Sequence, residues 1–543
     1  MTAPVEPIRF FWCPMQEMLQ KIFPTCWPEI PQSFWEMTLP KQESGEIRPE
    51  ELPQLLDSYV QSDDTLGYLP DLARVELIVY RLDRHIQPVS GDSFEHQINP
   101  TLELLEVAWA PLLARLDSSE VIPTRQQQWL LFWKHPRTGT AHRDVATDKE
   151  LLALKIIVEQ LDPQQLATET QQPIGIFDKA IDRAARRGLL LAPPSSLNRD
   201  KTGAPLPSDT PLKYRQAEIF TLQWHITHSC DLHCRHCYDR SRRDDVDFDK
   251  GLNILDQMRQ FCRDNHVGGQ VSFSGGNPFM HPRFTELYRA AHERNLTPAI
   301  LGNPVSEAAL DAILEIRPPV FYQVSLEGLQ EHNDHIRGTG NFDAVLKFLD
   351  LLKRKKIYSM VMLTLTRDNM AQVLPLAEVL RDRVDLFTYN RLAMVGEGAS
   401  LLSPKADEYQ KFISSYLTAR RDNPVMALKD SLLNIELEQL KPGIFGGCTG
   451  YGCGAAFNFV SVLPDGQVHA CRKFPSPIGD LNQQSLAEIY ASEAARAYRR
   501  GCTACDDCHL RPVCGGCLAV TYGFGLAPLR ERDPACFLSK SKG

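Results

Sequence analysis

Between residues 219 and 392 the period of the apolar positions alternates. Short runs suited to buried strands lie at 220–226, 270–273, 298–301, 321–324, 360–365 and 385–389, separated by stretches with one apolar helical face. Leu252, Leu255, Met258 and Phe261 make one such face. Six strand–helix units in succession predict an α/β region with a parallel sheet, open or closed as a partial (β/α)6 barrel of TIM type. Ligands in such folds bind at the carboxyl ends of the strands, and the unusual residues lie there: 230–237 after the first strand, 274–278 after the second, 325–328 after the fourth.

The pattern is different upstream. Leu72, Val75, Val79 and Leu82 at helical spacing after Pro70 predict an amphipathic helix. The runs 129–133 and 140–145 flank the turn-prone HPRTG and suggest a hairpin; Thr147 and Glu150 stand at capping-box spacing before the apolar run 151–158. A helix over about 176–187 stops at Gly188, and Leu189, Leu190 and Leu191 read as a closing strand. Together these predict a mainly helical N-terminal region, 1–125, ending in a winged-helix-like module, 126–192. Such a module could bind DNA, bind a peptide along a strand edge, or only pack. Arg183, Arg186 and Arg187 could attract an acidic partner, though a solvated helix face is the simpler reading. The stretch APPSSLNRDKTGAPLPSDTP at 192–211 is too rich in Pro, Ser, Asp and Gly for regular structure, and sets a linker at 193–216. The α/β core then covers 217–400, a helical bridge 401–447 and a cysteine-rich domain 448–543.

Several domains fit a chain of 543 residues. With 43% hydrophobic and 23% charged residues and no apolar run long enough to span a bilayer, the chain is not expected to be a membrane protein. A net charge of −9 argues against coating nucleic acid. The first eleven residues lack the basic start and apolar core of a secretory signal, so a cytoplasmic protein is expected. Cysteine alters this ordinary picture: three of fifteen lie within 230–237 and nine from Cys448 onward. In a reducing compartment such clusters are more often metal ligands than disulfides.

Cys230-x3-Cys234-x2-Cys237 offers three thiolates on one loop. Three ligands leave one iron of a cubane cluster open to a substrate. The bland alternative is a zinc site completed by His225, His228 or His233. The spacing, with His236 in the aromatic place before the last cysteine, resembles the radical SAM superfamily. That resemblance implies that the open iron chelates S-adenosylmethionine (SAM), whose reductive cleavage gives a 5′-deoxyadenosyl radical that abstracts hydrogen from a substrate. Gly275-Gly276-Asn277-Pro278 is similar to the family's GGEP loop, which implies backbone contact with the methionyl amino group, with Asn in place of Glu. Ser325-Leu326-Glu327-Gly328, followed by Arg337, resembles the segment whose serine and arginine contact the methionyl carboxylate or ribose. Leu392 would contact adenine.

The spacing Cys448-x4-Cys453-x12-Gly466-x4-Cys471, then Cys505-x2-Cys508-x5-Cys514-x2-Cys517-x18-Cys536, resembles the SPASM extension, which carries two auxiliary clusters. By that resemblance Cys448, Cys453, Cys471 and Cys517 hold the first and Cys505, Cys508, Cys514 and Cys536 the second, making three [4Fe-4S] clusters with the SAM-binding one. The family places three residues, not two, between the cysteines matching Cys514 and Cys517. Zinc ribbons, or one cluster with spare thiols, are rival readings. Cys502 could swap in as a ligand or donate hydrogen to a substrate radical. Cys262 reads as a core residue, while Cys13 and Cys26 have no readable role.

The resemblance implies a peptide maturase acting on a ribosomally made precursor, with a flavodoxin- or ferredoxin-like electron donor. Sulfatase maturases carry a catalytic aspartate where this chain has Arg472, which weakens that reading and makes Arg472 a candidate of unknown role. The run CDLHCRHCYDRS and the GGNP loop also resemble a subgroup named for selenobiotic or thio(seleno)oxazole peptide maturation. The alternatives are cofactor or haem-like biosynthesis and, in another class, a non-catalytic iron–sulfur carrier or zinc-binding module.

Overall fold

The computed structural model describes residues 14–38, 47–60, 66–85, 95–203, 206–440 and 443–538. The N-terminal eleven residues and Cys13 lie outside these. The chain folds as two units, Met1–Gln172 with Phe177–Pro194, and Pro173–Ile176 with Ser195–Gly543. Among the described residues no helix is long and apolar enough to cross a membrane.

The first unit is built round one strand. β1 (Gln97–Ile98) and β2 (Glu103–Ala110) precede β3 (Thr124–Lys134), which pairs antiparallel with both β2 and β4 (Ala141–Val145). Because strand side chains alternate, β3 serves two cores. Leu130 and Phe132 join the cluster on helix Leu69–Arg84, while Leu131 and Trp133 join that of helices Asp148–Val158 and Gly175–Arg186. The hairpin and the Thr147 capping box are present, with Glu150 reaching back to the Thr147 N–H at 2.9 Å. The expected division at 125/126 falls inside β3, whose polar start TRQQQ hides its pairing with β2. The closing strand β5 (Leu190–Leu191) pairs with β1 rather than with the hairpin, a departure from the winged-helix expectation. Arg187 pairs with Glu150 and Asp144, and Arg183 with Glu150, so both already have carboxylate partners.

The second unit carries all six expected strands: β6 (Ile219–Thr227), β7 (Gly268–Gly275), β8 (Thr297–Leu301), β9 (Tyr322–Ser325), β10 (Ser359–Leu365) and β11 (Leu386–Arg391), parallel and in sequential order. The helix Phe248–Asp264 shows why the pattern was readable: Asp247 caps its first N–H groups, and Leu255, Met258, Phe261 and Cys262 are buried. Cys262 is thus a core residue. The sheet does not stop at β6. A strand from the cysteine-rich domain, β12 (Phe459–Val462), adds parallel to it, with Thr221 opposite Phe459 and Trp224 opposite Val462. β13 (Gln467–His469) and β14 (Pro477–Asp480) extend the sheet antiparallel to nine strands. The two C-terminal domains therefore share one sheet.

Candidate active site

The cysteine loop leaves the end of β6 and rests on the loop that follows β7. Gly276 donates to the Thr227 carbonyl at 2.9 Å, and Asn277 N–H to the Ser229 carbonyl at 2.8 Å. A Cβ at Gly276 would stand 2.0 Å from the Ser229 oxygen, and one at Gly275 (φ +123°) 2.0 Å from that of Thr227. The two glycines therefore let these two loops touch. Asn277 is buried and committed locally: its amide donates to Asp231 at 3.1 Å and its oxygen caps Phe279.

A cavity of about 510 Å³ opens at these strand ends. Its wall takes in Cys230, Cys234, His236, Cys237, Gly275, Gly276, Ser325, Arg337 and Leu392, so most of the expected site meets there. Asn277 and Pro278 are not part of that wall. The three thiols are mutual electrostatic neighbours, and burial pushes those of Cys234 and Cys237 up. The histidines weighed as a fourth zinc ligand each have another partner: His225 meets the Tyr238 hydroxyl at 3.1 Å, His228 the Ser241 carbonyl at 2.8 Å and His233 the Arg240 guanidinium at 2.6 Å. Among the described residues no three His, Cys, Asp or Glu side chains are arranged to hold a single metal ion.

One buried carboxylate was missed by sequence reasoning. Glu327, 1% exposed, accepts from Arg337 Nε at 2.9 Å and Nη2 at 2.5 Å and from Thr364 N–H at 2.8 Å, while His236 Nε2 lies 2.7 Å away. Burial alone would push its pKa up, but the charges of His236 and Arg337 hold it at about 2. Arg337, expected to reach the methionyl carboxylate or ribose, lines the cavity, grips Glu327 and places Nη1 3.7 Å from Cys234 Sγ. The signal was the acidic residue inside SLEG, with an arginine ten residues on.

The C-terminal cysteines fall into two sets. The Cys453 thiol is pushed up to about 12 by burial and by the charges of Cys448, Cys517 and Cys471; Cys471 rises to about 11, with Cys517 and Cys448 contributing. Separately, Cys505 has Cys514 and Cys508 as neighbours, Cys514 has Cys536, and Cys536 has Cys508. Closely grouped thiols, here half-buried except for the buried Cys514, favour the thiolate form when a metal centre lies among them, so these donor sets suit iron–sulfur ligation. Cys502 is buried beside Cys505, donates to the Glu531 carbonyl at 3.0 Å and lies off the 510 Å³ cavity wall. Arg472 and Lys473 do line that cavity, and Arg472 donates to Ser274 at 3.3 Å.

A buried ion triad binds the two domains. Arg391, at the end of β11, donates from Nε to Asp430 at 2.7 Å and from Nη1 and Nη2 to Asp533 at 2.8 and 2.6 Å. Asp533 also accepts the Cys517 N–H at 2.8 Å.

The sequence profile described as the radical SAM superfamily matches residues 224–380. The chain carries a radical SAM domain. A second profile, described as an iron–sulfur cluster-binding domain, SPASM, matches 453–517, so iron–sulfur clusters and SAM binding are implied. This radical SAM chain is 24% identical over 311 residues to the antilisterial bacteriocin subtilosin biosynthesis protein AlbA of Bacillus subtilis, a match covering 54% of this chain and 65% of that protein. It is 28% identical over 336 residues to the mycofactocin maturase MftC of Mycolicibacterium smegmatis (58% and 82%), and 23% over 395 residues to the Fe-coproporphyrin III synthase of Methanosarcina barkeri (64% and 95%). In fold it resembles Streptococcus suis SuiB solved with the precursor peptide SuiA, with a TM-score of 0.50, 15% identity and coverage of 76% of this chain and 96% of SuiB.

Proposed function

We propose that this radical SAM enzyme modifies a ribosomally made precursor peptide, installing a crosslink, ring or epimerised centre. The observation that carries the reading is one cavity of about 510 Å³ that joins the cysteine loop, Gly275, Gly276, Ser325 and Leu392 to Arg472 and Lys473 of the SPASM domain. Cys230, Cys234 and Cys237 would hold the SAM-binding [4Fe-4S] cluster, and two further clusters would sit on Cys448, Cys453, Cys471 and Cys517 and on Cys505, Cys508, Cys514 and Cys536. When bound and reduced, the first supplies the electron that cleaves the SAM sulfonium to methionine and a 5′-deoxyadenosyl radical. The wall of Gly275, Gly276, His236, Ser325 and Leu392 would orient SAM, while Arg472 and Lys473 face the space left for substrate. The names of AlbA and MftC, and the peptide bound to SuiB, support a peptide substrate. So does the exposed strand β4, which pairs only with β3 among the described strands and leaves an edge on which a peptide could add. A cytoplasmic site of action and a flavodoxin- or ferredoxin-like donor belong to the same proposal.

Anaerobic reconstitution with a candidate precursor tests it. The expected result is roughly twelve irons per chain, dithionite-dependent 5′-deoxyadenosine, and a peptide that loses two hydrogens or takes up solvent deuterium. A second reading, small-molecule cofactor biosynthesis, is favoured by the match to 95% of the Fe-coproporphyrin III synthase. Turnover of an iron porphyrin with no peptide present would select it.

A further inference from the structure

Two N–H donors beside the cysteine loop are aimed at sulfur. Arg337 Nη1 stands 3.7 Å from Cys234 Sγ, and Asn303 Nδ2 stands 3.7 Å from Cys230 Sγ. Neither donor is free to turn. Arg337 is locked by the two bonds from Nε and Nη2 to Glu327, itself pinned by the Thr364 N–H. Asn303 donates to Asp231 at 2.6 Å, and the same carboxylate oxygen takes the Asn277 amide at 3.1 Å. The third sulfur, Cys237, donates to a backbone carbonyl, that of Asp239. Each side-chain donor thus has a carboxylate behind it that fixes its direction, the arrangement by which outer partners orient the groups around a metal centre.

We infer that Arg337 and Asn303 are positioning residues that raise the reduction potential of the cluster on Cys230, Cys234 and Cys237, by donating N–H···S bonds to two of its three thiolates. The inference rests on reading those cysteines as cluster ligands. Its physical basis is charge: the reduced cluster carries one more electron than the oxidised one, and an N–H pointing at a ligand sulfur stabilises that added charge. Arg337 has the larger effect because its donor is charged. Glu327 offsets part of this, acting through the Arg337 it holds. Asn277 joins the same network as the anchor of Asp231, which gives the asparagine of the GGNP loop a task away from the cavity. Because the electron must come from an external donor, a higher cluster potential widens the range of donors able to reduce it.

The test is an EPR-monitored redox titration of the reconstituted full chain, following the signal that changes shape when SAM is added, with iron content measured on every sample. Asn303→Ala and Arg337→Leu should both move that midpoint to more negative potential, Arg337→Leu farther. Arg337→Lys should return part of the shift, and the auxiliary signals should not move. Should Arg337→Leu lose iron, Asn303→Ala and Arg337→Lys decide the matter by the same measurement. An unchanged midpoint at full iron content overturns the inference. So does weakened SAM binding at an unchanged midpoint, which would make Arg337 a SAM contact instead. A parent protein with no SAM-responsive signal would fail the cluster reading itself, a separate outcome.

Discussion

Arg391→Met removes the one cation between two buried carboxylates. Arg391 is 2% exposed, Asp430 8% and Asp533 1%, so water screens little of what remains. Burial pushes the Asp533 carboxyl up while Arg391 and the N–H donors hold it below the ordinary range; without Arg391 the upward push of burial and a facing carboxylate are opposed by the Cys517 and Ala535 N–H groups alone. Breaking a buried pair by removing one partner costs about 3–5 kcal/mol. Unfolding entropy of about 2.1 cal/mol/K per residue over the roughly 350 residues of the second unit makes that a fall in Tm of about 4–7 °C. The sign with pH follows. In the variant a carboxyl pKa is raised above its unfolded value, so the folded state recovers stability as pH falls, and the deficit should shrink between about pH 8 and about pH 6. Asp533→Asn leaves Arg391 still neutralised by Asp430 and loses only charged hydrogen bonds, about 1.5–3 kcal/mol, with no such recovery. Calorimetry of the three proteins at both pH values is the assay. If Arg391→Met melts with the parent, or its deficit ignores pH, the triad is not what holds this junction.

Gly276→Ala places a Cβ against the Ser229 carbonyl and pushes the cysteine loop aside; a displacement of about 1 Å costs about 100-fold in rate, which 5′-deoxyadenosine release should show. Cys453→Ser should lower iron from roughly twelve to roughly eight per chain and leave the SAM-responsive EPR signal in place. In the first unit, burial raises Glu76 to about 7 although it accepts the N–H groups of Thr25 and Cys26. Its stabilising contribution is complete below the ordinary carboxyl pKa and is lost as pH rises through about 7, so this unit should melt lower at about pH 8 than at about pH 6, and Glu76→Gln should flatten the difference.

The six parallel strands were legible because each carries a short apolar run followed by a stretch with one apolar helical face, two of those helices opening on a capping Asp247 or Ser306. The strand of the cysteine-rich domain that joins β6 was not: Phe459 and Thr221 are partners across more than two hundred residues, and no local period encodes that pairing. β2 was hidden for another reason, since ELLEVAWA buries only Val107 and Ala110 and has no clean alternation. β4 was found from its turn, not from its own residues, all of which are exposed. At the site, the cysteines, glycines and Ser325 were read as motifs, but a motif does not say which way a side chain turns. Arg337 points to Glu327 because that carboxylate is buried and needs donors, and the buried amide of Asn277 points to Asp231 because it needs an acceptor, demands visible only once burial is known.

The central claim is that the loop of Cys230, Cys234 and Cys237 generates a radical from SAM. The most direct measurement is dithionite-dependent 5′-deoxyadenosine release by the anaerobically reconstituted chain, beside a variant in which these three cysteines are alanine and the eight C-terminal cysteines proposed as ligands are intact. The account predicts release by the parent and none by the variant, which should still hold about eight irons. Equal release by both, or a parent that binds zinc and leaves SAM intact, would contradict it.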